Sequence, residues 1–476
     1  MTQRPRHIAW LYERRWDSLR YRLSHVAVVV VTFCLTTWAR ARFMPSPRPA
    51  TAWWEHLLQM FSWSWVAAFP AAAIGVVSLV IPQSRRPLDA GTPCDILVCF
   101  RIVSRGHNAA ALYDTVESVR SSMRKRPLFP YCIEVVTDLP VDLPPGDDVR
   151  GYVVPPEYRT PSESRYKARA LHYLTHASPI PSDAWLFHCD EESHVTPGLV
   201  GGIRDAVVEE TARAERGLTP RIGQGRILYY RHLRRHPLLT LADMIRTGDD
   251  VTRFRTQFWS GKLFCGMHGS FILVRCDVER SVSFDVGPEG SVTEDAWWAY
   301  QQAFNGREFR WVDGFIVEQS PERWRDFAKQ RRRWYSGLWK VCLYAPAPTG
   351  ARVALMAFLV SWMLSAVGAI YTIVNLATGL GTPAVPSVLG AAVLSWYLSA
   401  YWVGLRVNLA AMPSEIRPGR AYRALLYAMQ FGLFPLFGIA EAAAMVLAAF
   451  WPERGFHVVR KSGVGNATAQ QLSPTG

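Results

Sequence analysis

Leu57 to Ile81 contains no charged side chain. A segment that long and apolar constrains the chain more than any other feature. Lipid offers backbone groups no hydrogen-bond partner, so such a segment forms a helix, in a bilayer or buried in a large core. Val353 to Ala377, Ala384 to Leu405 and Ala424 to Phe450 are similar, and Leu23 to Trp38 is a shorter block. The four long blocks can each cross a hydrocarbon core of about 30 Å. The short one needs flanking residues to do so. Glu441 and Pro435 interrupt the last block, which reads as a kinked span or a re-entrant pair.

Charge orients these blocks. Arg4, Arg6, Arg14, Arg15, Arg20 and Arg22 precede the first, which puts the N-terminus in the cytoplasm. Two crossings bring the chain back to that side. The expected organisation is then 1–82 with two transmembrane helices, 83–345 as a cytoplasmic domain, 346–453 with the C-terminal transmembrane helices, and a disordered tail at 454–476. Arg406, Arg417, Arg420 and Arg423 also fall inside. Arg454, Arg460 and Lys461 place the tail inside too, which five simple spans do not give and a re-entrant pair does. The long leader and the lack of a small-x-small cleavage site argue against a cleaved signal peptide. The expectation is a multi-pass membrane protein.

The net charge is +14, and only six of the 53 basic residues are Lys. Arg suits anionic headgroups and phosphorylated substrates. Nucleic acid is a poor fit, because the basic residues abut membrane blocks. The eight Cys show no pairing pattern, and neither Cys265-Gly-Met-His268 nor His188-Cys189 has a Cys pair at zinc spacing to complete it. Neither a zinc site nor a catalytic His is expected.

Between the blocks the pattern changes to that of an α/β domain. Ile96 to Val103, Ile133 to Val136 and Ala184 to Phe187 are apolar strand runs, and Val153-Val154 marks another short strand. Leu112, Val116, Val119 and Met123 recur at helical spacing, and Lys167 to Leu174 reads as a helix. Alternating strands and helices imply a parallel sheet with crossovers. Asp138 and Asp190 then fall just past strand carboxyl ends, where open α/β sheets form their ligand crevice. No GxGxxG or GxxxxGK[ST] is present, so neither a dinucleotide fold nor a P-loop is indicated.

Three polar motifs follow in order. Asp190-Glu191-Glu192 supplies hard oxygen ligands suited to Mg²⁺ or Mn²⁺ on a diphosphate; an acidic turn is the plain alternative. Thr293-Glu294-Asp295 opens a helical run. Thr293 reads as its N-cap, and Asp295 reads either as a first-turn acid or as a general base. Gln330-Arg-Arg-Arg-Trp334 lies in a basic, aromatic stretch from Arg323 to Lys340. That stretch reads as an interfacial amphipathic helix, one Arg of which reaches a diphosphate while Trp334 stacks on a sugar. Each motif alone has its plain alternative; three in this order do not share one.

Together they resemble the inverting family 2 glycosyltransferases, which have a GT-A fold. Phe100 to Gly106, Glu134 to Asp138, Lys167 to Tyr173, Gly223-Gln-Gly225, Glu279 to Asp285 and Gly290 to Asp295 narrow the likeness to egghead-type β-1,4-mannosyltransferases. The resemblance runs from about residue 90 to 345. It implies a GT-A domain embedded between transmembrane helices, with GDP-mannose as donor and a divalent cation. Arg101, Asp138, Lys167, Gln330, Arg333 and Trp334 would bind the donor and acceptor. Asp190 and Glu192 would hold the metal, and Asp295 would be the base. A lipid-linked or oligosaccharide acceptor is implied, with membrane lipids as further partners. Cys265-Gly-Met-His-Gly-Ser270 departs from the animal pattern, so acceptor choice could differ from the animal glycolipid activity. A processive polysaccharide synthase, a UDP-sugar enzyme and a non-catalytic glycan- or lipid-binding scaffold stand as alternatives.

Overall fold

The computed structural model describes residues 19–44, 46–80 and 91–452. Arg4, Arg6, Arg14, Arg15, Arg454, Arg460, Lys461 and the expected tail lie outside the described residues.

The chain begins with helices α1 (Leu19–Phe43), α2 (Trp53–Ser62) and α3 (Ser64–Val80). The α/β region follows as β1 (Val98–Ser104), α4 (Ala109–Lys125), β2 (Tyr131–Thr137), β3 (Val149–Val153), α5 (Tyr166–Ala177), β4 (Trp185–Asp190), α6 (Pro197–Glu215), β5 (Ile222–Leu228), α7 (Pro237–Asp249), β6 (Ile272–Arg275), α8 (Glu294–Phe304) and β7 (Phe309–Val317). It closes with α9 (Trp324–Tyr344), α10 (Thr349–Thr378), α11 (Ala384–Ala411), α12 (Arg420–Gly432) and α13 (Phe434–Phe450).

The seven strands form one sheet in the order β3-β2-β1-β4-β6-β5-β7. β6 runs antiparallel to both its neighbours; the other pairs are parallel. β1 is buried at all seven positions, as a central strand covered on both faces must be. The parallel sheet with crossovers is therefore present, in the mixed form of a GT-A domain. The third strand lies earlier than Val153-Val154 alone indicated. Its side chains are exposed or half-buried, so an edge strand leaves little apolar signal.

Leu23–Phe43, Trp53–Leu79, Thr349–Thr378 and Ala384–Ala411 are long and apolar enough to cross a membrane. α12 and α13 meet at a bend of 50° and make a fifth only if counted as one span. The break falls beside Pro435, which cannot donate a helical hydrogen bond.

The membrane helices and the sheet domain are joined at backbone distance. A Cβ on Gly404 of α11 would lie 1.9 Å from the Met244 carbonyl oxygen of α7, and one on Gly248 would lie 2.2 Å from that of Ala400. Only glycine permits this crossing. Buried Asn408 secures it, accepting from the Tyr229 N–H at 2.7 Å and donating to Thr247 Oγ1 at 3.0 Å.

Candidate active site

β2 ends at Thr137 and β4 at Asp190, so the sheet delivers Asp138 and Asp190 to the same edge. A cavity of about 700 Å³ opens there, lined by Asp138, Asp190, Glu191, Glu192, Glu294 and Asp295. Lys167, Arg246, Gln330, Arg333 and Trp334 share its wall. All but one of the residues expected at the site are thus gathered in one space.

Arg101 is the exception and a correction. It is fully buried within β1, and its guanidinium is spent on Glu134 and Glu279. Glu279 also pairs with His188 Nε2 at 2.6 Å. Burial pushes the Glu279 carboxyl upward, but Arg101 and His188 outweigh it and hold it at about 2. Removing one partner of such a buried set strands the others. Arg101 therefore ties the sheet to the segment after β6 and does not face the cavity.

The Lys167 ammonium lies 2.6 Å from Asp190 Oδ1, 2.9 Å from the Gly269 carbonyl and 3.8 Å from Glu294 Oε1. Burial favours its neutral form, yet Asp190 and Glu294 raise its pKa and keep it charged. A side chain at position 269 would come within 2.9 Å of Asp295 Oδ2 and 3.0 Å of Lys167 Nζ, which explains a glycine there. Arg169 donates to Asp138 Oδ1 at 2.7 Å.

Asp295 and Glu294 start α8. Thr293 occupies the N-cap position but makes no capping hydrogen bond, against expectation. Instead the Asp295 carboxylate accepts from the Ala296 N–H at 2.8 Å. Thr293 is occupied otherwise, packed on α9 where a Cβ at Gly337 would fall 2.4 Å from its Cγ2. That contact brings the Thr-Glu-Asp and Gln-x-x-Arg-Trp motifs together. Burial raises the Asp295 carboxyl, with Lys167, the Ala296 N–H and Arg333 opposing. Burial and then the Asp295 charge push Glu294 up to about 7.

α9 differs from a purely interfacial helix. Arg331 is buried and pairs with Asp243 of α7 and Glu441 of α13. Glu441, the one acid of the last apolar block, thus has a structural partner. Trp334 has the guanidinium carbons of Arg246 and Arg331 each 4.6 Å from its ring centre, which compete with a stacked sugar.

Sequence reasoning missed Arg246 and Glu318. Arg246 lies between the rings of Tyr229 and Trp334, 4.4 and 4.6 Å from their centres, and lines the cavity. Glu318 follows the carboxyl end of β7, is buried and accepts from Ser270 Oγ. The strand-end rule that found Asp138 and Asp190 would have found Glu318 as well. Beyond this polar end the cavity continues among apolar side chains of the long apolar helices, including Trp362, Ile373 and Leu376 of α10 and Phe434 and Ile439 of α13.

Residues 185–414 match the family model described as glycosyl transferase family group 2. The chain is 30% identical over 294 residues to a β-1,4-mannosyltransferase, bre-3, of Caenorhabditis briggsae, covering 60% of this chain and 62% of that one. It is 34% identical over 272 residues to the β-1,4-mannosyltransferase egh of Drosophila melanogaster, covering 56% and 57%. The matches thus span less than two thirds of these relatives' length. A mannosyltransferase from Pyrobaculum calidifontis, solved with GDP-Man and Mn²⁺, aligns over 83% of this chain and 98% of its own at 13% identity and a TM-score of 0.42, too loose a likeness to argue from. The resemblance read from the motifs is borne out by the family model and the curated relatives.

Proposed function

We propose that this chain is a family 2 glycosyltransferase of the egghead type and moves mannose from GDP-mannose to a hydroxyl of a lipid-linked acceptor, forming a β-1,4 linkage. The observation that carries this is a single cavity with acids at the strand ends and membrane helices at its far side.

Asp138 lies where it can meet the nucleoside, with Arg169 fixing its carboxylate. Asp190 and Glu192 offer oxygen donors of the kind Mg²⁺ or Mn²⁺ takes, and would hold the ion together with oxygens of the donor's diphosphate. When bound, the ion neutralises charge on the departing GDP. Lys167, Arg333 and Arg246 add fixed positive charge along the same wall, in place before the reaction starts. Asp295 takes the proton from the attacking hydroxyl. Its raised proton affinity makes it a stronger base near neutral pH. Attack from the face opposite GDP inverts an α-donor to a β-product. The apolar stretch of the cavity holds the acceptor's lipid while its sugar reaches Asp295.

The assignment of 83–345 to the cytoplasmic face, between membrane segments at 1–82 and 346–453, belongs to the same proposal. So does α9 as an interfacial helix. A processive synthase is the second reading, because the cavity reaches between helices through which a growing chain could leave.

Thermal protection tests the donor. GDP-mannose with Mn²⁺ should stabilise the purified protein and release GDP when acceptor is added. Protection by a UDP-sugar alone would overturn the donor, and no metal-dependent protection by any nucleotide-sugar would favour a scaffold.

A further inference from the structure

His232 and His236 stand four residues apart, one ending the 3₁₀ turn after β5 and the other just before α7. Glu322 lies in the turn between β7 and α9. His232 Nδ1 is 4.0 Å from Glu322 Oε1, and His236 Nε2 is 3.8 Å from the same oxygen. Among the described residues, these are the one trio of potential metal-ligating groups whose donor atoms converge, all within 4.8 Å. His232 is 7% exposed, and its Nδ1 is buried without a hydrogen-bond partner. A buried polar atom left without a partner is destabilising, and a bound ion would satisfy it.

Donors held about 2.0–2.1 Å from one tetrahedral ion lie about 3.4 Å apart, so the three side chains would draw in by roughly 0.5–1.5 Å to bind one. Two imidazoles and a carboxylate are a ligand set zinc uses, with water in the fourth position. Softer nitrogen donors also separate this trio from the all-oxygen set at Asp190 and Glu192, which suits harder ions. None of the three lines the acid cavity.

We propose that His232, His236 and Glu322 bind one Zn²⁺, pinning the entry to α7 against the entry to α9. These two helices carry Arg246 and the Gln330, Arg333 and Trp334 set, so the ion braces both sides of the cavity's basic wall. Cysteine spacing could not reveal the site. His232-x-x-x-His236 was visible, but its third ligand lies far along the chain.

Full-length protein in detergent, stripped with a chelator and dialysed against zinc, tests this by metal analysis and thermal melting. The parent and Asp190→Asn should each retain one zinc per chain. His236→Gln and Glu322→Gln should bind it at least about tenfold more weakly. Zinc should raise the melting temperature of the parent and not of these two variants. His236 is only half-buried, so its variant should fold even where His232→Ala does not. No zinc on the parent would overturn the proposal, as would unchanged zinc on both His236→Gln and Glu322→Gln. Loss of zinc from Asp190→Asn alone would place the ion in the acid cavity and overturn it too.

Discussion

In the proposed mechanism Asp295 is the side chain on which the chemistry turns, and its setting makes two outcomes measurable. Asp295→Asn keeps the shape but cannot accept a proton, so turnover should fall by about 10²–10⁴. GDP binding, followed by calorimetry, should survive; an equal loss of both would make Asp295 a ligand and not the base. Burial raises its pKa, so the acid limb of the kcat/KM profile should lie above the ordinary aspartate range. Glu294 beside it has a sign of its own. Its carboxyl titrates at about 7 folded against 4.5 ordinarily, so the folded state holds the proton more tightly. Raising pH through that window then costs stability. Glu294→Gln should therefore raise the melting temperature more at about pH 8 than at about pH 5; an equal shift at both would show that Glu294 bears no such burial cost. Arg246→Met removes one fixed cation from the wall and should raise the KM for donor about tenfold or more. At this scale Asp138, Asp190 and Asp295 were legible, because strand ends and helix starts leave a local pattern. Arg246 was not, since a basic residue in the last turn of a helix looks like any solvated charge, and only the fold puts Tyr229 and Trp334 around it.

Among the elements, α9 and α11 decide whether the site assembles. α9 meets the start of α8 through Gly337, whose missing side chain leaves room for Thr293. Gly337→Ala would force a shift costing roughly 1–3 kcal/mol. Activity should drop more than tenfold while the melting temperature moves by only a few degrees; full activity would show that the two motifs need no fixed spacing. α11 holds α7, and so Arg246, through the Gly404 and Gly248 crossing and Asn408. The apolar block that became α11 was plain in the sequence. Its grip on the sheet domain was not, because small residues on a helix face carry no signal until the partner helix is known. Glu441 is the reverse case. It looked anomalous in an apolar block, and its reason is Arg331, distant in sequence and adjacent in the fold.

Over the whole molecule, the layout of membrane blocks around an α/β domain was readable because two hydrophobic periods divide the chain cleanly. The continuity between them was not readable. One cavity runs from the strand-end and helix-start carboxylates to apolar helix faces, and neither end implies the other in sequence. That continuity is the feature on which the proposal of a lipid-linked acceptor rests. The most direct test is to incubate the protein in lipid nanodiscs with labelled GDP-mannose, Mn²⁺ and a glycolipid acceptor, and to weigh the lipid product. The account predicts an acceptor heavier by one hexose, β-linked, and absent with Asp295→Asn. Free mannose alone, a long polymer, or an undiminished product from Asp295→Asn would contradict it.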